Sequence, residues 1–452
     1  AKASTTCLMF SFSVIFIFMS PALLELLRRT FISRYVSIEK NVHAHKVAAY
    51  TALFWMIAHV ISYYYLFHLT AAKSHGKITF KDKLFGSTLG KTGHALIFLF
   101  FVMFVSCIPY IRRRFFEVFY WMHHLFVPIV VVIFIHGSAH SFQWYLVGPG
   151  GVYVLDRLYR FIRSRTKRPR ILSVIQHPSS VIEIKMERRG MNFQCGQYIY
   201  LNVPSISLLE WHPFTLTSAP EEDELSVHIW VGGGWTRKLA GLSGAYANVD
   251  HTKRVAESQP LINLPTIMID GPYGAPTQQV FDYEHVVLIA GGIGVTPMSS
   301  VLKSLYYQLT STPHKCRIRK IYFMWVCRDI GALEWFQDLL VALDEEDISD
   351  ILEIRTYLTG QLSVEQIRNI ALYQDPNGPD AVTGLHRSPT YYGRPNFNNI
   401  FEDIGMRMPG TDVGVFFCGP KPMGRTLRKL SRKWTKNFKY NNTKFVFHKE
   451  NF

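Results

Sequence analysis

The sequence predicts three parts: a bundle of membrane-spanning helices, an antiparallel β-domain and a parallel α/β domain. The first third of the chain consists of long apolar blocks joined by short basic connectors, which is typical of membrane helices. The middle part shows the alternation of half-buried strands. The last part alternates short apolar runs with longer helix-like segments, which favours a parallel sheet.

Five apolar blocks are candidates for membrane spans, which need about 20 apolar residues. They lie at 7–27, 42–68, 94–110, 115–136 and 144–162. The first block does not resemble a cleaved signal peptide, and because the chain begins with Ala, we expect an earlier helix or regulatory region to precede it.

The basic residues predict the orientation of these helices. Lys and Arg are retained on the cytoplasmic side of short loops, and they cluster at 28–40, 112–114 and 157–170. We therefore expect the C-terminal region in the cytosol and the loops 73–91 and 137–143 outside, although five lysines in 73–91 oppose this rule. The net charge of +16 comes without any nucleic-acid-binding motif, so we expect no nucleic-acid partner.

Two pairs of histidines stand inside the apolar blocks. His45 and His59 are 14 residues apart, which is about 3.9 helical turns and places both on nearly the same side. His123 and His136 are 13 residues apart, and a kink at Pro128 can re-aim the outer one. Ionisable residues inside a membrane mark functional sites, and imidazoles from facing helices can hold haem iron.

The predicted topology pairs these histidines by depth. His45 pairs with His123 near the cytosol, and His59 pairs with His136 near the outer face, which predicts two haems stacked across the bilayer. Spacing alone leaves His124 open as an alternative to His123. The remaining candidates, His68, His94 and His140, are at or beyond helix ends, where we expect them to be solvated.

The cytosolic part contains a glycine-rich turn, "GGIGVTP", between a strand-like and a helix-like segment. Gly292 and Gly294 would let the backbone approach a pyrophosphate at a helix N-terminus. Pro297 departs from the usual dinucleotide fingerprint. On its own, the turn is also consistent with glycines that only allow a strand and a helix to pack together.

Together, these features resemble the transmembrane NADPH oxidase family, within the ferric reductase-like transmembrane superfamily. The resemblance is carried by the two histidine pairs and by "HPFTLTS", "DGPYGAP", "GGIGVTP", "CRD" with "EWF", "TGL" with "YGRPNF", "CGP" and "FHKENF". It implies a di-haem α-helical transmembrane bundle followed by a ferredoxin-NADP reductase-like module. That module would comprise an antiparallel β-barrel FAD domain and an α/β Rossmann-like NADPH domain. The expected domains are 1–165, 166–280 and 281–452.

The resemblance also implies site residues. The flavin contacts would be His212, Pro213, Phe214, Thr215 and Thr217, with Trp235, Thr236 and Arg237 at the pyrophosphate and the C-terminal aromatic Phe452 over the flavin ring. The NADPH phosphates would lie at Gly292, Gly294, Thr296 and Pro297, with Cys418, Gly419 and Pro420 near the nicotinamide. Among these, Cys418 and Phe452 are the catalytic candidates. Arg328 is expected to bind the 2′-phosphate through the N–H groups of its guanidinium. Arg394 either assists in binding this phosphate or forms a surface ion pair.

The implied activity is an NADPH oxidase. NADPH delivers two electrons and a haem accepts one, so FAD must convert between them. Two b-type haems, each held by two histidines, would pass electrons to external O₂ by outer-sphere transfer and produce superoxide. The family often has a further histidine where this chain has Tyr63, and its additional N-terminal helix, which contributes an arginine near the outer haem, is not seen here.

Two other functions remain open. A transmembrane ferric-chelate reductase would use the same cofactors, and a non-catalytic haem subunit or proton pathway would not need the intact nucleotide motifs. We expect an integral protein of the plasma membrane, with the bilayer and O₂ as partners and control by a cytosolic domain or by separate subunits.

Overall fold

The computed structural model consists of two compact units, Ala1–Tyr159 and Arg160–Phe452. It describes residues 2–36, 38–136, 140–244, 265–311, 317–346, 348, 350–375, 378–435 and 443–450. Phe452 and residues 137–139 of the predicted outer loop lie outside the described residues.

The first unit is helical. Its helices are α1 (Lys2–Phe18), α2 (Pro21–Arg28), α3 (Asn41–Lys73), α4 (Thr88–Ser106), α5 (Pro109–Arg114), α6 (Phe116–His123), α7 (Phe126–His136) and the larger part of α8 (His140–Thr166). Helix α1 packs along α3, and α4 packs against α7. Side chains such as Phe98 and Phe101 on α4 are 65% and 66% exposed. Large apolar side chains on the outside of a helical bundle are what a lipid environment requires.

Three spans in the described residues are long and apolar enough to cross a membrane: α3, α4, and α6 with α7. Of the five blocks predicted as candidate spans, two therefore differ from the prediction. The first block is broken into α1 and α2, which are bent by 76°, because Pro21 lacks the N–H group that would continue α1. The pair counts as a fourth span only if the bent helices are taken together.

The fifth predicted block lies in helix α8 but does not meet the requirement for a span. Glycines and Pro149 at 148–151 lower its hydropathy, and Asp156 and Arg157 add charge near its C-terminal end. Asp156 Oδ1 accepts a hydrogen bond of 3.0 Å from the backbone N–H of Leu23. The Asp156 carboxylate thus binds the first turn of α2. The hydropathy of the sequence does not reveal such a hydrogen bond.

The helix is interrupted just before Pro128, between α6 and α7. Pro128 cannot donate to the carbonyl of His124, and the Val127 N–H instead donates to that carbonyl over 3.0 Å. Despite this break, α6 and α7 together form one span of 21 residues.

The second unit begins with the last turns of α8 and an antiparallel β-domain. Its strands are β1 (Ile171–His177), β2 (Val181–Glu187), β3 (Tyr198–Asn202), β4 (His212–Thr215), β5 (Glu224–Trp230) and β6 (Met268–Tyr273). They form two sheets, ordered β1-β2-β5 and β4-β3-β6, which share a core that includes Ile184, Leu201 and Val227. Helix α9 (Gly234–Leu242) adds Leu239 to this core. These two sheets form the predicted antiparallel β-domain.

The chain then forms a parallel α/β domain, as predicted. Its strands are β7 (His285–Gly291), β8 (Lys320–Cys327), β9 (Leu352–Leu358), β10 (Thr390–Tyr392), β11 (Asp412–Cys418) and β12 (Lys444–Lys449), and its helices are α10 (Thr296–Ser311), α11 (Gln337–Glu345), α12 (Val364–Tyr373), α13 (Phe397–Arg407) and α14 (Lys421–Thr435). The sheet order is β10-β9-β8-β7-β11-β12.

Strand β7 is buried on both faces. Val286 and Leu288 pack into one core with α10, while Val287 and Ile289 pack into another with α13 and α14. Strands β8, β9 and β10 follow one another on one side of β7, and β11 and β12 lie on its other side. Such a reversal leaves a crevice at the carboxyl ends of the two strands, where open α/β sheets bind their ligands.

Candidate functional site

The first unit brings the predicted histidine pairs together. The ring centroids of His45 and His123 are 6.2 Å apart, and those of His59 and His136 are 6.3 Å apart. Imidazole nitrogens bind transition metals at about 2.0–2.1 Å, so two imidazoles on opposite sides of one ion have their centroids about 6.3 Å apart. The spacing of both pairs fits a six-coordinate haem iron.

Three of these four histidines have a polar partner at Nδ1. Thr5 Oγ1 lies 3.0 Å from His59 Nδ1, Thr92 Oγ1 lies 2.8 Å from His136 Nδ1, and Cys107 Sγ lies 3.6 Å from His123 Nδ1. Metal-binding histidines are oriented in this way, with one nitrogen fixed and the other left for the metal.

The fourth histidine, His45, has a buried Nδ1 without a hydrogen-bond partner among the described residues. Sequence reasoning missed the three partners of the other histidines, because a single threonine or cysteine in an apolar helix produces no periodic signal.

The neighbouring histidines take other places. His124 is exposed, and its Nδ1 lies 2.8 Å from the carbonyl oxygen of Tyr120, so the structure brings His123 rather than His124 to His45. The expectation that His94 is solvated is wrong. It lies within α4, half-buried, with Nε2 3.1 Å from the hydroxyl of Tyr64. His68 is exposed, as expected.

A pocket lies beside the outer pair. His59, Tyr63, His94 and His136 are among the residues that line it, and side chains such as Phe100 form its apolar wall. Sites that are mostly apolar with a few polar groups are typical of cofactor pockets. Gly93 lies against this pocket, because a Cβ there would stand 3.3 Å from Cε1 of His136.

In the second unit, the predicted flavin residues lie on β4 and α9. The ring of His212 is 4.3 Å from that of Trp235, and Phe214 stacks on the same indole at 6.0 Å. Burial lowers the pKa of His212, although Glu210, 3.4 Å away, opposes the shift. The Trp235 Nε1–H is buried and has no acceptor among the described residues. These groups form an aromatic wall with one unused donor, which suits a flavin.

Helix α9 begins at the predicted pyrophosphate contacts. Gly233 precedes its first turn, and Thr236 Oγ1 accepts a 3.0 Å hydrogen bond from the Gly233 N–H. Arg237 is exposed next to it. The side chain of Thr217, in contrast, is fully buried and engaged with Ser226 and His228. Its hydroxyl therefore does not face the surface that Phe214 and Trp235 form.

The predicted NADPH residues meet at the crevice between β7 and β11. A Cβ at Gly294 would lie 2.4 Å from the carbonyl oxygen of Cys418. A Cβ at Gly291 would lie 2.6 Å from Cδ of Pro420. The two turns are thus in backbone contact, which only glycine allows. Gly292 has a φ of +56°, which also favours glycine.

Helix α10 starts directly after this turn, with Thr296 and Pro297 buried in its first turn. Cys418 is 5% exposed. Burial raises the pKa of its thiol, and Glu450 adds to the shift. A buried thiol whose pKa is raised is a poor nucleophile.

Arg328 and Arg394 follow the carboxyl ends of β8 and β10 and are both exposed. The side chain of Arg328 makes no ion pair within the part of the chain that the structure describes. A cation that is not neutralised by an internal carboxylate is available to a phosphate.

Three family sequence profiles match consecutive parts of the chain: a ferric reductase like transmembrane component over residues 8–151, an FAD-binding domain over 166–277 and a ferric reductase NAD binding domain over 283–432. The chain therefore has a membrane domain, followed in sequence by an FAD-binding domain and a nicotinamide-nucleotide-binding domain.

Whole-chain relatives were also found. The chain is 38% identical over 450 residues to a superoxide-generating NADPH oxidase heavy chain of Dictyostelium discoideum, covering 95% of this chain and 85% of that protein. It is 34% identical over 530 aligned positions to NADPH oxidase 1 of Mus musculus, covering 100% and 86%. It is 30% identical over 485 positions to the putative respiratory burst oxidase homolog protein G of Arabidopsis thaliana, covering 94% and 56%. The chain belongs to the superoxide-generating NADPH oxidase family of integral membrane oxidoreductases.

Proposed function

We propose that this chain oxidises NADPH on the cytosolic side of the plasma membrane and reduces O₂ to superoxide on the other side. A haem domain over 1–165, an FAD domain over 166–280 and an NADPH domain over 281–452 would divide the task. The observation that carries the proposal is the presence of two imidazole pairs, each at the separation that one iron requires. One histidine of each pair lies on helix α3.

The histidines would hold the haems in two layers. His45 and His123 would hold the inner haem, and His59 and His136 the outer one. With two histidines for each haem, these residues would leave O₂ no ligand position on the iron, and the bound haems would supply one-electron transfer. Thr5 and Thr92 hydrogen-bond to Nδ1 of the outer pair, which would orient each ring with its other nitrogen towards the iron.

In the second unit, the residues would bind and orient two nucleotides. His212, Phe214 and Trp235 would pack on FAD, with Thr236 and Arg237 at its pyrophosphate. Gly292, Gly294, Thr296 and Pro297 would hold the phosphates of NADPH, with Gly419 and Pro420 beside the nicotinamide. Bound FAD supplies the conversion of a two-electron hydride donor to one-electron transfer.

Arg328 would select NADPH over NADH by binding the 2′-phosphate, and Arg394 would add charge at the same edge of the sheet. The neutral Cys418 would shape the nicotinamide pocket without reacting. Phe452 would cover the flavin. The basic clusters at 28–40, 112–114 and 157–170 support the cytosolic placement of this module.

Ferric-chelate reduction is the second candidate. Two of the three matching profiles are named for ferric reductases, and the same haem path would serve a ferric acceptor. The whole-chain relatives quoted above favour O₂.

The test uses the purified full chain with FAD and haem in sealed liposomes. NADPH added outside reaches only molecules whose nucleotide domains face outward, so their product forms inside. A trapped superoxide probe should respond, and trapped superoxide dismutase should abolish the response. If a trapped ferric chelate is reduced while O₂ consumption stays at background, the ferric reductase replaces the oxidase.

A further inference from the structure

A cluster of metal-binding side chains lies in the barrel, outside the flavin and NADPH residues. His177 ends β1, Glu183 lies on β2 and His228 lies on β5, which are consecutive strands of one sheet. Glu183 is paired directly with His228 in the register, and His177 is diagonal to Glu183. Cross-strand and diagonal neighbours share one face of a sheet. One nitrogen or oxygen atom of each side chain lies within 4.8 Å of the other two.

His228 has one free nitrogen. It is only 6% exposed, and its Nδ1 lies 2.9 Å from Thr217 Oγ1. Its Nε2 is buried without a hydrogen-bond partner among the described residues. Buried polar atoms are nearly always paired. An imidazole with one nitrogen fixed by a hydroxyl and the other left bare is prepared for a metal.

The donor atoms of the cluster suit a cation. His177 Nε2 and His228 Nε2 are both buried without a hydrogen-bond partner among the described residues, and His177 Nε2 faces a carboxylate oxygen of Glu183. Imidazole nitrogens and carboxylate oxygens are ligands that zinc binds in proteins.

Aromatic residues close the cluster from the α/β side of the same unit. The ring of His228 lies between His177, at 5.3 Å, and Phe336, at 4.4 Å. Trp335 Nε1–H donates a 2.8 Å hydrogen bond to the carbonyl of Pro178, in the turn between β1 and β2. Phe336 and Trp335 belong to the segment that follows Arg328. The cluster thus joins the barrel to the loop that carries the predicted 2′-phosphate contact.

We propose that His177, Glu183 and His228 bind a divalent metal ion of the zinc class. Tetrahedral ligands at about 2.0 Å from zinc are about 3.3 Å from one another, and His177 Nε2 is 3.5 Å from Glu183 Oε2. Two histidines and one carboxylate leave a fourth position for water. The ion would hold β1, β2 and β5 together beside the Arg328 loop.

The first experiment measures zinc directly. Untagged, haem-replete and flavin-replete full chain is stripped with a chelator, incubated with Zn²⁺ alone and separated from free metal, and zinc per chain is measured by elemental mass spectrometry. The wild type should retain one equivalent that His177→Gln and Glu183→Gln lose while keeping their flavin. His386→Gln, at an exposed histidine of the same unit, should retain it. Equal zinc in the wild type and Glu183→Gln overturns the proposal.

The second experiment does not depend on the folding of those variants. Zinc K-edge X-ray absorption is unaffected by haem iron. The wild type should show only nitrogen and oxygen neighbours at about 2.0–2.2 Å, and His177→Cys should add one sulfur at about 2.3 Å. If the spectrum of the His177→Cys variant shows no sulfur neighbour, zinc binds elsewhere and the proposal is overturned. If the wild type binds no zinc, the cluster is only a buried ion pair.

Discussion

Gly294→Ala tests the contact between the β7 and β11 turns. An alanine Cβ would stand 2.4 Å from the carbonyl oxygen and 2.6 Å from the carbonyl carbon of Cys418. Non-bonded heavy atoms prefer about 3.5 Å, so the turns must separate by about 1 Å. Both obstacles are backbone atoms, and neither can rotate away. We expect the nicotinamide and phosphate contacts to be lost together.

The expected magnitude follows from this displacement. A misplacement of about 1 Å costs on the order of a hundredfold in rate, which is about 2.8 kcal/mol at 1.4 kcal/mol per tenfold. The assay is anaerobic stopped-flow reduction of the flavin by NADPH below saturation. Gly294→Ala should be about a hundredfold slower than the wild type while dithionite still reduces its flavin and haems.

The matched control is Gly241→Ala. Gly241 lies in α9, and a Cβ there meets nothing within 4 Å. Alanine is favoured over glycine in a helix, so this variant should reduce its flavin at the wild-type rate. A wild-type rate in Gly294→Ala would mean that the crevice adjusts without cost, and that the backbone contact does not position NADPH.

Three further predictions follow from the sites. His136→Leu should remove one of two haems, measured as haem per chain, and leave flavin reduction by NADPH intact, whereas His124→Leu should keep both; two haems in His136→Leu would refute the pairing. Arg328→Ala should weaken NADPH about 10- to 150-fold, because charge-assisted hydrogen bonds contribute about 1.5–3 kcal/mol, and leave NADH unchanged; equal losses for both would remove the 2′-phosphate role. Burial raises the pKa of Asp380, but hydrogen bonds from Thr390 and Thr383 outweigh burial, and the pKa in the folded protein is lowered. The ionised carboxylate therefore stabilises the fold above the unfolded-state pKa of about 3.9. This stabilisation is lost as the pH falls through the lower pKa of the folded protein. Asp380→Asn should therefore lower the temperature of flavin release at neutral pH and flatten its decline in acid; an unchanged acid limb would contradict this.

The histidine pairs could be predicted from the sequence, apart from the choice between His123 and His124, because helical period and membrane depth limit which imidazoles can face each other. The glycine turn could be placed because strand, turn and helix follow one another locally. The cluster of His177, Glu183 and His228 could not be predicted from the sequence. It depends on the register of three strands and on His228, which is about 50 positions away from the other two residues.

The failures have equally specific causes. The bend before Pro21 and the charged end of α8 were hidden by mean hydropathy, which ignores where a polar group finds its partner. The apolar block begins at His94 and so predicts a helix end there, but α4 starts six residues earlier, at Thr88. The helix includes a polar first turn that hydropathy assigns to a loop.

Because one uninterrupted helix carries both His45 and His59, the number of residues between them is a fixed length. Inserting a single residue would turn His59 by about 100° away from His136. Inserting seven would restore its direction to within about 20° but move it about 10.5 Å along the axis. No insertion or deletion in this segment keeps both direction and depth, so we expect this stretch of α3 to tolerate substitutions but no change in length.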